Sequence, residues 1–121
     1  MKAILIALTC LILAACTTVR PDFAIFDSAD ESIQAAAAAG GDEFAPVEMR
    51  FAREKLANAK KGFEKEKYEV SVYLAEEAEI NAELAIAKAR TAKLRRQVNE
   101  LRKNNQELEA KLLATYGEED K

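Results

Sequence analysis

The sequence predicts an all-α protein: an antiparallel helical hairpin or three-helix domain with a long C-terminal helix ending in a coiled coil. Three observations carry that prediction. After Pro46 there is no proline, and Gly62 and Gly117 are the only glycines. Alanine, glutamate, lysine, leucine and arginine dominate the same stretch, which is the composition of long helices and coiled coils. Apolar residues recur there at intervals of three and four, which gathers them on one helical face.

Taken in order, the chain opens with a leader. Lys2 supplies a positive start, and Ala3 to Leu13 is apolar except for Thr9 and Cys10. Leu13-Ala14-Ala15-Cys16 closes the run with two small residues and a cysteine. The run is too short to cross a bilayer as a helix, so it reads as a cleaved signal, residues 1–15. The pattern resembles bacterial lipoprotein signals, in which cleavage between Ala15 and Cys16 leaves Cys16 as a lipidated N-terminus. The other reading is an ordinary secretory signal cut after Ala15, which leaves Cys16 as an odd free thiol.

Residues 16–21 then form the lipidated N-terminus and a short linker. Thr17 is not Asp, which by resemblance to enterobacterial sorting favours the outer membrane. The expected location is therefore the periplasmic face of the outer membrane, held by lipid. Each buried acyl methylene contributes about 0.8 kcal/mol, and three chains hold far more firmly than one. The linker spans at most about 3.3–3.6 Å per residue, which keeps the folded part near the lipid.

Residues 22–92 form an alanine-rich helical domain. Its first helix runs from Asp22 to Ala39, with Phe23, Phe26, Ala29, Ile33 and Ala36 on one face. Ser28 with Glu31 is a candidate capping box and gives a later start. Gly40-Gly41 ends this helix, because glycine takes the left-handed C-terminal conformation without steric cost. The second helix begins at Pro46, which suits the first helical position. Glu48 in its first turn favours the dipole. Met49, Ala52, Leu56, Ala59 and Phe63 form its apolar stripe. Gly62 to Lys67 is the expected turn, since a helix-interior glycine costs about 1 kcal/mol relative to alanine. A continuous helix through Gly62 is the alternative.

The third helix runs from Tyr68 to Thr115 and carries two seams. Ala75, Ala78, Ala82, Ala85, Ala89 and Ala92 form a small-residue stripe that permits close packing. It is expected to receive the second helix antiparallel, with the first helix alongside. In the extension, residues 93–115, the seam becomes larger: Leu94, Val98, Leu101, Asn105, Leu108 and Leu112. With Val98 at position a, Asn105 is a lone polar residue at a, a device that fixes register and oligomer state. The second helix is too short to cover this region, so the seam needs a partner: a second copy or an envelope protein. Residues 116–121 read as a disordered acidic tail.

A family resemblance rests on Gly40-Gly41, Phe44-Ala45-Pro46 and Ala52-x-x-Lys55-Leu56-x-x-Ala59. It continues in Tyr68, Leu74-Ala75-Glu76-Glu77-Ala78 and Asn81-Ala82-Glu83-Leu84-Ala85. This resembles the bacterial lipoprotein family of domain of unknown function 4398, over about Phe23 to Ala92. The resemblance implies a helical envelope protein without catalytic residues. Some members resemble fusions to an OmpA-like peptidoglycan-binding domain, a segment this sequence lacks.

Composition narrows the chemistry. The chain has no histidine or tryptophan and two cysteines, of which Cys10 leaves with the leader. No disulfide is expected in the mature chain, and most nucleophilic and phosphoryl mechanisms lack their parts. No enzyme activity and no small-molecule substrate are expected. No metal is expected, and no cofactor beyond the covalent lipid on Cys16. Of 18 basic side chains, 17 remain once Lys2 leaves, against 21 acidic, a formal −4 that disfavours nucleic acid. Glu76, Glu77, Glu79 and Glu83 read as a solvated face. Lys88, Arg90, Lys93, Arg95, Arg96, Arg102 and Lys103 form a local basic bias. It reads as a solvated coiled-coil surface, with anionic headgroups or glycan as the other reading. Lys121 ends the sequence, as a lysine ends the major murein lipoprotein, so a peptidoglycan tether is the alternative function. Glu118-Glu119-Asp120 depart from that pattern.

Overall fold

The computed structural model describes residues 21–116. Helix α1 spans Ala24–Ala38, α2 Gly41–Phe44, α3 Pro46–Glu64 and α4 Tyr68–Tyr116. No strand occurs among the described residues.

Helix α1 starts at Ala24, two residues after the expected Asp22, and uses no side-chain cap. Ser28 and Glu31 lie exposed inside it, so the capping-box start does not form. Asp22 instead accepts a hydrogen bond from the Ala24 N–H at 3.4 Å. The physical reason is packing. Phe26 is 3 % exposed, and its ring meets Phe63 edge-on at 5.3 Å. A capping box contributes about 1 kcal/mol, whereas burying a phenylalanine contributes about 1.5–3 kcal/mol. The first turn therefore stays helical and docks.

The double glycine ends α1 as expected and also does more. Gly40 takes φ +91°, the left-handed position. Gly41 then opens the short helix α2, which the sequence reading did not anticipate. A Cβ on Gly41 would lie 2.8 Å from both the Ala36 carbonyl oxygen and Met49 Sδ. The missing side chain lets α2 press between the end of α1 and the start of α3.

Helix α3 buries Met49, Ala52, Leu56, Ala59 and Phe63, the stripe read from the sequence. It runs through Gly62 to Glu64, so the turn is shorter and later than Gly62–Lys67. The Lys67 N–H donates to the Gly62 carbonyl and the Glu66 N–H to the Phe63 carbonyl, both at 3.0 Å. This is a Schellman cap, with Glu66 at φ +58° in the position usually given to glycine.

Helix α4 has 49 residues and is about 73 Å long at 1.5 Å per residue. Its first half lies against α3. Lys55 pairs with Glu77 at 2.6 Å and Glu48 pairs with Lys88. Partners rise along one helix as they fall along the other, so the two lie antiparallel. Helix α1 packs against both. The core thus sits between α1, α3 and the first half of α4. It is closed at one end by the rings of Phe23, Phe26, Phe63 and Tyr68, whose centroids lie 4.7–5.8 Å apart. Helix α4 ends at Tyr116, one residue into the stretch expected to be tail.

Candidate interaction site

Helix α4 has two faces with opposite fates. Ala75, Ala78, Ala82, Ala85 and Ala89 are all fully buried. Their short side chains let α1 and α3 approach closely. Ala92, expected to continue the stripe, is only half-buried. The reason is reach: α3 begins at Pro46, and its first turn lies level with Lys88. Only α2 extends further. Arg96 lies 5.6 Å from the centroid of the Phe44 ring and Lys93 5.9 Å. Arg96 also donates to Glu43 at 3.4 Å.

From Lys93 to Tyr116 every residue of α4 is exposed. On this stretch Leu94 is 61 % exposed, Leu101 62 % and Leu108 58 %. Val98 and Leu112 are also exposed, and so is Asn105 between them. These six side chains are therefore uncovered within one chain.

The expected basic cluster is split by the fold. Lys88, Lys93 and Arg96 reach toward Glu48 and Phe44 while remaining exposed. Lys103 lies 3.8 Å from Glu107 one turn along. The carboxylates are also divided. Glu77 is half-buried against Lys55, whose hydrogen bond holds its carboxyl below the ordinary glutamate range. The same contact raises the Lys55 ammonium. Glu48 is likewise lowered, first by the Lys88 hydrogen bond and then by its own backbone. Arg53 grips Asp42 through two nitrogens at 2.8 and 3.1 Å and lowers that carboxyl too. These pairs join helices. None gathers around a common point.

Among the described residues no group of His, Cys, Asp and Glu is placed to hold a metal ion. No helix there is long and apolar enough to cross a membrane. Ala15, Cys16 and Lys121 lie outside the described residues. The sequence reading missed the pairing of Phe44 with Lys93 and Arg96. An aromatic residue just before Pro46 was visible, but α2, which aims it at α4, was not.

No curated protein and no solved structure matches this chain. A family model matches residues 25–101, which covers the helical head and the start of the exposed extension. The chain belongs to the family described as domain of unknown function (DUF4398).

Proposed function

We propose that this chain is a lipid-anchored structural or adaptor protein of the bacterial envelope. Cys16 carries the lipid, the α1–α3 bundle forms a head near the membrane, and the extension of α4 holds a second copy or another envelope protein. The anchor rests on the Leu13-Ala14-Ala15-Cys16 pattern. The holding role rests on one observation: the core closes at Ala89, yet α4 continues as a wholly exposed helix with leucines at coiled-coil spacing. Some 24 residues of isolated helix, about 36 Å, expose one apolar seam that association would cover.

Two measurements test this. The chain from Thr17 onward, with and without residues 94–121, is weighed in solution by light scattering. Association that is lost on truncation, and lost when Leu101 and Leu108 are both changed to serine, supports the holding role. Association unaffected by either change overturns it. Metabolic labelling with palmitate, compared between the natural chain and Cys16→Ala, tests the anchor. Label that persists in the variant removes Cys16 from the reading.

A further inference from the structure

The exposed seam does not begin at Leu94. Counting back from Val98 in the same heptads, Thr91 and Leu84 take position a, and Ala87 and Ile80 take position d. Ile80 is 63 % exposed and Leu84 45 %, and Ala87 and Thr91 are exposed between them. At about 100° per residue these positions lie roughly opposite the buried alanine stripe. The outer face of the head and the extension therefore present one line in a single 4-3 rhythm, from Ile80 to Leu112. It is about 48 Å long.

We infer that a second copy of this chain covers this whole line, parallel and in register, so that the heads as well as the extensions pair. This deepens the holding role proposed above and rests on it. Three features select a second copy in this orientation. In register, Asn105 meets Asn105 of the other chain, and each amide satisfies the other within an apolar seam. In the antiparallel arrangement that uses the same length, Asn105 faces Ala87 and its amide has no amide partner, which costs about 1–3 kcal/mol. The flanks agree in part at the head: Glu83, at position g, lies across from Lys88, at position e of the other chain, whose ammonium also bonds Glu48 of its own chain. Size agrees as well. Ten exposed seam side chains from each of two copies offer on the order of 1,000 Å² or more, the area of a stable interface. One flanking pair, Arg90 against Arg95, is like-charged and weakens this arrangement.

Disulfide trapping tests it in the full chain with Cys10 and Cys16 changed to serine, in mild detergent. Leu84→Cys and Asn105→Cys are each oxidised, with Lys103→Cys, on the outer side of the extension, as control. The expected result is a cross-linked dimer from both seam positions and none from the control. Cross-linking at 105 but not at 84 overturns the extended interface while leaving the holding role intact. Cross-linking only when Asn105→Cys is mixed with Ala87→Cys shows the antiparallel arrangement and overturns the inference. No cross-link anywhere, with a monomeric mass, overturns the inference and leaves the holding role only another envelope protein. Arg90→Glu supplies a second measurement, since it turns a repulsive flank attractive only in the parallel register. Dimer dissociation should fall at least about threefold. An unchanged dissociation constant contradicts the register.

Discussion

The hydroxyl of Ser71 fills the space that a side chain at Gly62 would need. A Cβ on Gly62 would lie 2.7 Å from Ser71 Oγ and 3.8 Å from Ser71 Cβ. The hydroxyl is held there by its hydrogen bond to the Lys67 carbonyl at 2.8 Å. Gly62→Ala should therefore destabilise the fold by about 1–2 kcal/mol, overpacking outweighing the better helix former. Ser71→Ala removes only the clashing oxygen. The double variant should recover the loss and gain up to about 1 kcal/mol from helix propensity. Urea denaturation of the four chains gives the coupling. Additive effects would mean that the two residues do not oppose each other.

Glu66 stands in the left-handed position of the α3 cap. A non-glycine residue there costs about 1–2 kcal/mol. Its side chain is exposed, so replacing it loses no packing. Glu66→Gly should raise stability, offset in part by the greater freedom that glycine brings to the unfolded chain. The expected gain is about 0.5–1 kcal/mol, and a fall in melting temperature would contradict the cap geometry.

These two residues also show where the sequence was legible. The alanine stripe, the α3 stripe and the exposed leucines follow from periodicity, because burial repeats with the helix. Gly62 misled because glycine has two uses. It breaks helices in solution, but at a close crossing it makes room, and only the position of Ser71 distinguishes them. Glu66 carried no signal, since the cap is made by backbone groups and the tight connection imposes the angle. Ser28 and Glu31 have the spacing of a local cap, which long-range contact of Phe26 with Phe63 overrides. The phase of the outer seam through Leu84 was present in the sequence. It was obscured by Ala87 and Thr91, whose small side chains look like a gap until the buried face is known.

The bridges between α3 and α4 predict an acid-side response. Glu77 and Glu48 sit below the ordinary glutamate value, held there chiefly by Lys55 and Lys88. A carboxyl whose folded pKa is depressed stabilises the fold above its unfolded value, and that stability is lost as pH falls through the folded value. Lys55 is raised, so its share is complete at neutral pH and fades only as pH rises through the folded lysine value. Melting temperature should thus be level near neutrality and fall on the acid side. Glu77→Gln should shallow that fall. An acid limb identical to that of the natural chain would show that the Lys55 bridge contributes nothing.

The two faces of α4 predict opposite responses from neighbours two residues apart. Ala82 is fully buried against the head, whereas Leu84 is 45 % exposed on the outer side. A leucine at 82 adds three carbons at a position that exposes no surface. Ala82→Leu should destabilise by about 1–3 kcal/mol or more, lowering the melting temperature by roughly 4–8 °C per kcal/mol for a domain of this size. Leu84→Ser should leave the fold of a single chain within about 0.5 kcal/mol. Measured by circular dichroism at concentrations where the chain is monomeric, a large loss for Leu84→Ser would mean that the outer face supports the head from within the chain. A tolerant Ala82→Leu would mean that the alanine face is loosely packed.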